Sequence, residues 1–145
     1  QDMEGDLWIG GLDGCLIMFE KEKGSRRSFD VNWVQSIEPI DRNRVAVATV
    51  NGFFLVDKHT GNIQHYANSQ EFHNQKVSAY IISMLFNDDG TVWLGTEGGG
   101  LNLYDMKNRT VKTFTVQEGL PSNDIYSLQR DDKKRLCVST GKGIA

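Results

Sequence analysis

The sequence predicts an all-β fold, a β-propeller of four-stranded antiparallel blades, on three observations. One short unit recurs four times: an apolar strand, a glycine-marked turn and a second apolar strand. The copies are Gly5-Asp6-Leu7-Trp8-Ile9-Gly10 leading to Gly14, Arg44-Val45-Ala46-Val47-Ala48-Thr49 to Gly52, Gly90-Thr91-Val92-Trp93-Leu94-Gly95-Thr96 to Gly99, and Arg135-Leu136-Cys137-Val138-Ser139-Thr140 to Gly143. With Trp8, Ala46, Trp93 and Cys137 as equivalent anchors, the marker glycine falls six residues later every time. The anchors lie 38, 47 and 44 residues apart, close to the ~40–45 residue period of a propeller blade. Finally, short apolar runs alternate with Gly, Asp and Asn turns and no helical period intervenes. A β-sandwich would explain the strand spacing but not the recurring offset. A propeller explains both, because each blade is the same unit packed on its neighbours.

The third copy shows the elements in order. Residues 79–86 read as a first strand, and Asn87-Asp88-Asp89-Gly90 as a tight turn in which Asp and Asn accept backbone N–H groups and Gly90 supplies positive φ. Residues 91–96 form the second strand, Glu97-Gly98-Gly99 the next reversal, 100–105 the third strand, and 110–116 the outer fourth. The second copy repeats this, with Ile63-Gln64-His65-Tyr66 as its outer strand. Val34, Ile81 and Ile125 stand twelve residues before the last three anchors, and Ser36, Ser83 and Ser127 follow two residues later. The expected organisation is a partial blade over 5–30, blades over 31–67 and 77–116, and a partial blade over 123–145. That makes an incomplete arc of about three and a half blades, where closed propellers have roughly four to eight. The chain is therefore expected to be part of a longer protein.

Packing expectations follow from the hairpin between second and third strands. If the anchor, the residue two later and the residue seven later share a face, the groups are Trp8/Gly10/Cys15, Ala46/Ala48/Phe53, Trp93/Gly95/Gly100 and Cys137/Ser139/Ile144. Large anchors then meet small partners and small anchors large ones, which keeps packing density even. Trp8 and Trp93 are expected in the core. Cys15 and Cys137 are too few for a disulfide framework and are expected as buried free thiols.

The 145 residues carry a net charge of −3, without the basic face that phosphate binding needs, so nucleic acid is excluded as a direct partner. No apolar run reaches the ~20 residues of a membrane span and no signal peptide is visible. His59, His65 and His73 form no metal-ligand constellation, and no metal or cofactor is expected. No carboxylate pair, nucleophile elbow or phosphate loop is singled out, so no catalytic residue is assigned and the segment is expected not to be an enzyme.

Residues 82–105, Ile82-Ser83-Met84-Leu85-Phe86-Asn87-Asp88-Asp89-Gly90-Thr91-Val92-Trp93-Leu94-Gly95-Thr96-Glu97-Gly98-Gly99-Gly100-Leu101-Asn102-Leu103-Tyr104-Asp105, closely resemble the two-component regulator propeller repeat. Residues 114–128 resemble that family's linker into the next repeat, and 5–19 match it well. The second and fourth copies are degenerate, with Ala46 and Cys137 in place of tryptophan. The resemblance implies the periplasmic sensor region of a membrane-bound hybrid two-component histidine kinase that responds to an extracellular signal, such as a glycan fragment, and regulates transcription. It implies a homodimeric parent protein that supplies the remaining blades and the only membrane contact.

In such a blade, the turns between second and third strands and the connections between blades emerge at one end, where binding loops sit on a rigid scaffold. The candidate ligand-binding residues there are Trp33, Asp13, Asn51, Glu97, His73 and Lys142. Trp33 follows Asn32 and has no evident core duty; a ring beside polar groups suits the apolar face and hydroxyls of a sugar, and the reading set against this is a ring packed beneath a loop. Phe72-His73-Asn74 in the longest connection is the second candidate stretch. The alternative is a structural or protein-interaction propeller without a small ligand.

Overall fold

The computed structural model describes residues 1–72 and 78–145. Among these the chain forms four antiparallel sheets with strands in sequence order. The first holds β1 (Leu7–Gly10), β2 (Cys15–Phe19) and β3 (Arg26–Asp30). The second holds β4 (Val34–Pro39), β5 (Arg44–Thr49), β6 (Phe53–Asp57) and β7 (Ile63–Tyr66). The third holds β8 (Ile81–Phe86), β9 (Thr91–Thr96), β10 (Leu101–Asp105) and β11 (Thr110–Phe114). The fourth holds β12 (Ile125–Arg130), β13 (Leu136–Thr140) and β14 (Gly143–Ile144). The helical element among the described residues is one 3-10 turn, Val116–Glu118, whose Thr115 and Glu118 cap each other's backbone N–H groups.

Aspartates at fixed places close the reversals. Asp57 Oδ1 accepts the N–H groups of His59 and Thr60, and Asp105 Oδ1 those of Lys107 and Asn108. Asp41 and Asp131 do the same between first and second strands. Each side chain imitates a backbone turn, and this is why Asp recurs where the chain reverses.

The sheets pack face to face, and each junction has its own apolar cluster. Trp8, Leu16 and Met18 of the first sheet meet Val45, Val47 and Val56 of the second. The opposite face of the second sheet, Ala46, Ala48, Phe53 and Leu55, meets Ile81, Val92, Leu94 and Tyr104 of the third. Leu101 and the half-buried Trp93 then meet Ile125, Leu128 and Val138. The second and third sheets are thus covered on both sides, which explains the nearly continuous apolar run from Val45 to Ala48.

Strand register corrects the expected face sharing. In the second sheet Ala48 pairs with Phe53 and Ala46 with Leu55, and in the fourth Ser139 pairs with Ile144, so Phe53 and Ile144 do lie on their anchors' faces. In the third sheet Gly95 pairs with Leu101 and Trp93 with Leu103, which leaves Gly100 in the turn. In the first, Gly10 pairs with Leu16 and Trp8 with Met18, so Cys15 lies on the other face. The cause is turn length. Glu97, Gly98 and Gly99 separate Thr96 from Gly100, whereas only Val50 and Asn51 separate Thr49 from Gly52. One extra residue moves every following side chain to the opposite face. Gly100, not Gly99, is therefore the counterpart of Gly52. Cys15 and Cys137 are free, as expected, but only half-buried.

A β-bulge recurs at one place in three sheets, between Val34 and Ser36, Ile81 and Ser83, and Ile125 and Ser127. The extra residues are Gln35, Ile82 and Tyr126, and they leave the ladder where the first strand begins.

Candidate functional site

The hairpin turns after β1, β5, β9 and β13 and the connections entering β4, β8 and β12 gather at one end of the sheets. The turns after β5, β9 and β13 share one closure. The hydroxyls of Thr49, Thr96 and Thr140 donate to the carbonyls of Gly52, Gly100 and Gly143 at 2.9, 2.8 and 2.7 Å. Gly52 and Gly100 have φ of 80° and 77°, and a side chain there would strike the carbonyls of Tyr66 and Phe114. Their N–H groups donate to Ala79 O at 2.7 Å and Asn123 O at 2.9 Å. Each such turn is therefore tied to the segment leading into the next sheet.

On this frame Trp33 is the exposed tryptophan, 52% accessible where Trp8 is 8%. It immediately precedes β4. Asp13 lies in an exposed turn with Oδ1 accepting Cys15 N–H at 3.2 Å. Glu97 and Lys142 are exposed, and their backbone N–H groups are held by Tyr80 O and Thr140 Oγ1. Asn51 has a scaffolding duty: Oδ1 accepts Ser69 N–H at 2.8 Å, and its carbonyl meets His65 Nε2 at 2.6 Å. His73 lies outside the described residues. Among the described residues no hydrogen bond or ion pair joins any two of these candidates, so they share an end of the molecule without forming one cluster.

Phe72, the residue before His73, is a core residue. It is 4% accessible and meets Tyr104 edge to face at 6.3 Å. Glu71 beside it accepts from the Tyr104 hydroxyl, from Arg109 Nη1 and from Asn68 Nδ2 at 3.2 Å. Burial and this carboxylate together push the Tyr104 phenol well above its ordinary range. Arg109 also covers the Tyr66 ring at 4.7 Å. The start of the longest connection is thus wedged between the second and third sheets, not free at the loop end.

Sequence reasoning missed the residues that share Trp33's place in the repeat, Tyr80 and Asp124, each three before the recurring serine. Asp124 Oδ1 accepts Gly98 N–H at 2.9 Å, and its carbonyl accepts Gly141 N–H at 3.0 Å. Tyr126, the bulge residue of β12, is 54% accessible at the same end. The serine register already used to find the first strands was the signal that could have found all three.

The opposite end carries a buried ion cluster. Lys58 Nζ, only 3% accessible, meets Asp2 at 2.9 Å, Glu4 at 2.6 Å and Asp6 at 2.7 Å. Asp2 also accepts Trp8 Nε1–H at 2.9 Å. Burial opposes the charges of Lys58 and Asp2, but their hydrogen bonds outweigh it, raising the ammonium pKa and lowering the carboxyl's. Among the described residues no group of His, Cys, Asp and Glu is arranged to hold a metal ion, and no helix is long and apolar enough to cross a membrane.

No family model matches the chain, and no curated protein matches it in sequence. Solved structures do match. The extracellular domain of BT3049, assigned as a hybrid two-component system of B. thetaiotaomicron, superposes with a TM-score of 0.82 at 23% identity, over 99% of this chain and 20% of that one. The corresponding domain of BT4673 gives 0.74 at 23% identity, over 99% and 19%. The β-propeller domain of Cps50 (Swd1) from Myceliophteria thermophila gives 0.65 at 19% identity, over 94% and 46%. The fold is that of a β-propeller, and the chain spans about one fifth of the two bacterial domains. These structures are extracellular and propeller domains.

Proposed function

We propose that this chain supplies blades to the periplasmic sensor propeller of a membrane-bound hybrid two-component histidine kinase. In this reading the sheets are successive blades, partial over 5–30 and 123–145 and whole over 31–67 and 77–116, and the parent protein completes the ring and dimerises. The ligand is a glycan fragment, and its binding regulates transcription through domains elsewhere in the parent. Similarity to extracellular domains of two bacterial two-component systems supports the sensor role. The observation that carries ligand binding is Trp33: an indole half in solvent, at the end of the sheets where the turns and connections gather. Such a ring offers a sugar an apolar platform, and exposed Asp13, Glu97 and Lys142 offer hydroxyl partners.

A calorimetric screen of the intact protein against oligosaccharides, run beside its Trp33→Ala variant, tests this. The expected result is a saturable glycan signal that Trp33→Ala weakens with no change in melting temperature. Unchanged affinity removes Trp33 from the site. Absence of any glycan signal favours the alternative, a protein-interaction propeller, for which the exposed Leu12, Trp33 and Tyr126 at the same end would be the contact residues.

A further inference from the structure

Cavities recur at equivalent places in the first two sheet junctions, at the end of the sheets remote from Trp33. One, of about 490 Å³, lies between the first and second sheets with Met18 and Lys58 in its wall. The other, of about 510 Å³, lies between the second and third with Leu55 and Met106 in its wall. The repeat makes these residues counterparts. Met18 stands opposite the anchor Trp8, and Leu55 opposite the anchor Ala46. Lys58 and Met106 each follow the aspartate that ends β6 or β10. Asp2 and Ile40 both stand six residues before their anchors, and Asp6 and Arg44 two before.

The chemistry at the two places differs. In the first, the Lys58 ammonium is held by Asp2, Glu4 and Asp6. In the second, a thioether replaces the ammonium, and the counterparts of Asp2 and Asp6 are Ile40 and Arg44. Negative charge is present there nonetheless. Glu38 of β4 lines the cavity from the face that Ala46 shares. Among the described residues it forms no ion pair, and burial pushes its carboxyl up despite a hydrogen bond from Ser36. The other polar side chains in the wall are those of Arg44, Asn87 and Asp88. Arg44 is matched by Asp41, which its Nε and Nη2 both meet at 2.9 Å. The Asn87 amide is engaged with Thr91 Oγ1 at 2.8 Å and with Arg130. Asp88 is exposed at the rim and pairs with no cation among the described residues. The cavity thus presents two uncompensated carboxylates beside an apolar floor of Ile40, Leu55, Met84, Phe86 and Met106.

We propose that this second cavity binds a small amphipathic amine, whose ammonium pairs with Glu38 and whose apolar body lies against Met84, Phe86 and Met106. The ligand's charge then does in the second junction what Lys58 does in the first. The wall itself selects this class. A neutral guest would bury Glu38 further without compensation, and an anion would be repelled by both carboxylates. A bare inorganic cation would leave the apolar floor unused. The volume is within the usual size of small-molecule sites, which are mostly apolar with a few fixed polar groups, and the two thioethers adapt to the shape of an apolar body. The site lies at the end opposite Trp33 and is independent of the glycan reading.

Methionine-methyl NMR of the intact protein, titrated with phenethylamine and with its neutral isostere 2-phenylethanol, tests it. Phenethylamine is expected to shift the Met84 and Met106 methyls saturably and to leave Met18, beside the internally paired ammonium, unmoved. 2-Phenylethanol should bind about tenfold more weakly, the loss expected of one hydrogen bond to a charged group. Glu38→Gln should remove that discrimination, and Met106→Lys should abolish amine binding by supplying the ammonium from within. If Met106→Lys does not fold, the two ligands and Glu38→Gln still decide. Nα-acetyl-lysine amide, titrated in parallel, separates the sources of this chemistry: binding as tight as phenethylamine's assigns the ammonium to a polypeptide lysine, and weaker binding assigns it to a free amine. Motionless Met84 and Met106 methyls at every phenethylamine concentration that leaves the fold intact overturn the proposal. So does equal affinity for the two ligands, a Met18 methyl that moves in step with the others, or discrimination undiminished in Glu38→Gln.

Discussion

Gly10 and Val34 meet across the junction of the first two sheets with no room for a methyl group between them: a Cβ on Gly10 would stand 2.5 Å from that of Val34. Gly95 and Ile125 meet in the same way at the third junction, where a Cβ would lie 2.7 Å from Ile125 Cγ2. The glycine two residues after a tryptophan anchor is therefore the bed for the first strand of the next sheet. In the second sheet, where the anchor is alanine, Ala48 takes that place.

Gly10→Ala and Gly95→Ala should each destabilise the fold by about 1–3 kcal/mol through overpacking. Val34→Ala should restore part of the loss in the Gly10→Ala background only, a non-additivity that urea unfolding of the double-mutant cycle measures. Additive losses would mean that the two residues do not share the contact.

Lys58→Met should cost about 3 kcal/mol at neutral pH, because it leaves buried Asp2 and its neighbour Asp6 without their cation. The wild-type contribution has a defined pH window. The hydrogen bond from Lys58 holds Asp6 below its ordinary 3.8, so this carboxylate stabilises the fold above that pH, and the contribution disappears as pH falls through the depressed folded value. The Lys58 ammonium is raised above 10.5, so its share is complete below that pH and fades only in stronger alkali. Unfolding curves of wild type and Lys58→Met should converge in acid below pH 3.8 and stay apart at pH 9.

Glu38→Gln should modestly raise stability at neutral pH. Burial lifts the folded-state carboxyl above its ordinary 4.5, so its ionisation disfavours the folded state at pH values above 4.5. Below that value the carboxyl is protonated with or without folding, and the advantage of Gln should vanish. A stability gain that persists at pH 3 would point to packing as its cause.

Glu71→Ala should release the start of the connection between β7 and β8 by removing its ties to Tyr104, Arg109 and Asn68. A loss of about 2 kcal/mol is expected from hydrogen bonds to a charged acceptor. Hydrogen exchange should report it first at the Glu71 and Phe72 amides, with the β4 and β5 amides unaffected.

The parts legible in the sequence were those that repeat. Anchors, turn glycines and first-strand serines stand in register, and that register alone delivered the strand order within each sheet. The face assignment failed for Cys15 and Gly100 because a two-residue and a three-residue turn both keep a glycine six residues after the anchor, while only strand pairing tells them apart. The Lys58 cluster and the Glu71 wedge were invisible for another reason. Lys58 lies more than fifty residues from Asp2 and Asp6, and Glu71 lies thirty-eight from Arg109. No local period records such pairs. Trp33 stood out because it fell outside the repeat's apolar positions, but whether its ring packs beneath a loop or faces solvent was not legible; the structure leaves it 52% accessible. The tie of Asn51 to Ser69 was invisible because it reaches into a neighbouring connection eighteen residues away.

The bulges at Gln35, Ile82 and Tyr126 give each repeat one position excused from the common design. Their flanks hardly vary, Val34, Ile81 and Ile125 on one side and Ser36, Ser83 and Ser127 on the other, because those side chains or their backbone partners must fit a ladder. The residue between them leaves the ladder, and there the chain has drifted to an amide, an aliphatic and a phenol. A duplicated unit that keeps one unconstrained letter can multiply without becoming uniform. Each copy can acquire its own surface chemistry at that letter while the architecture around it is inherited unchanged.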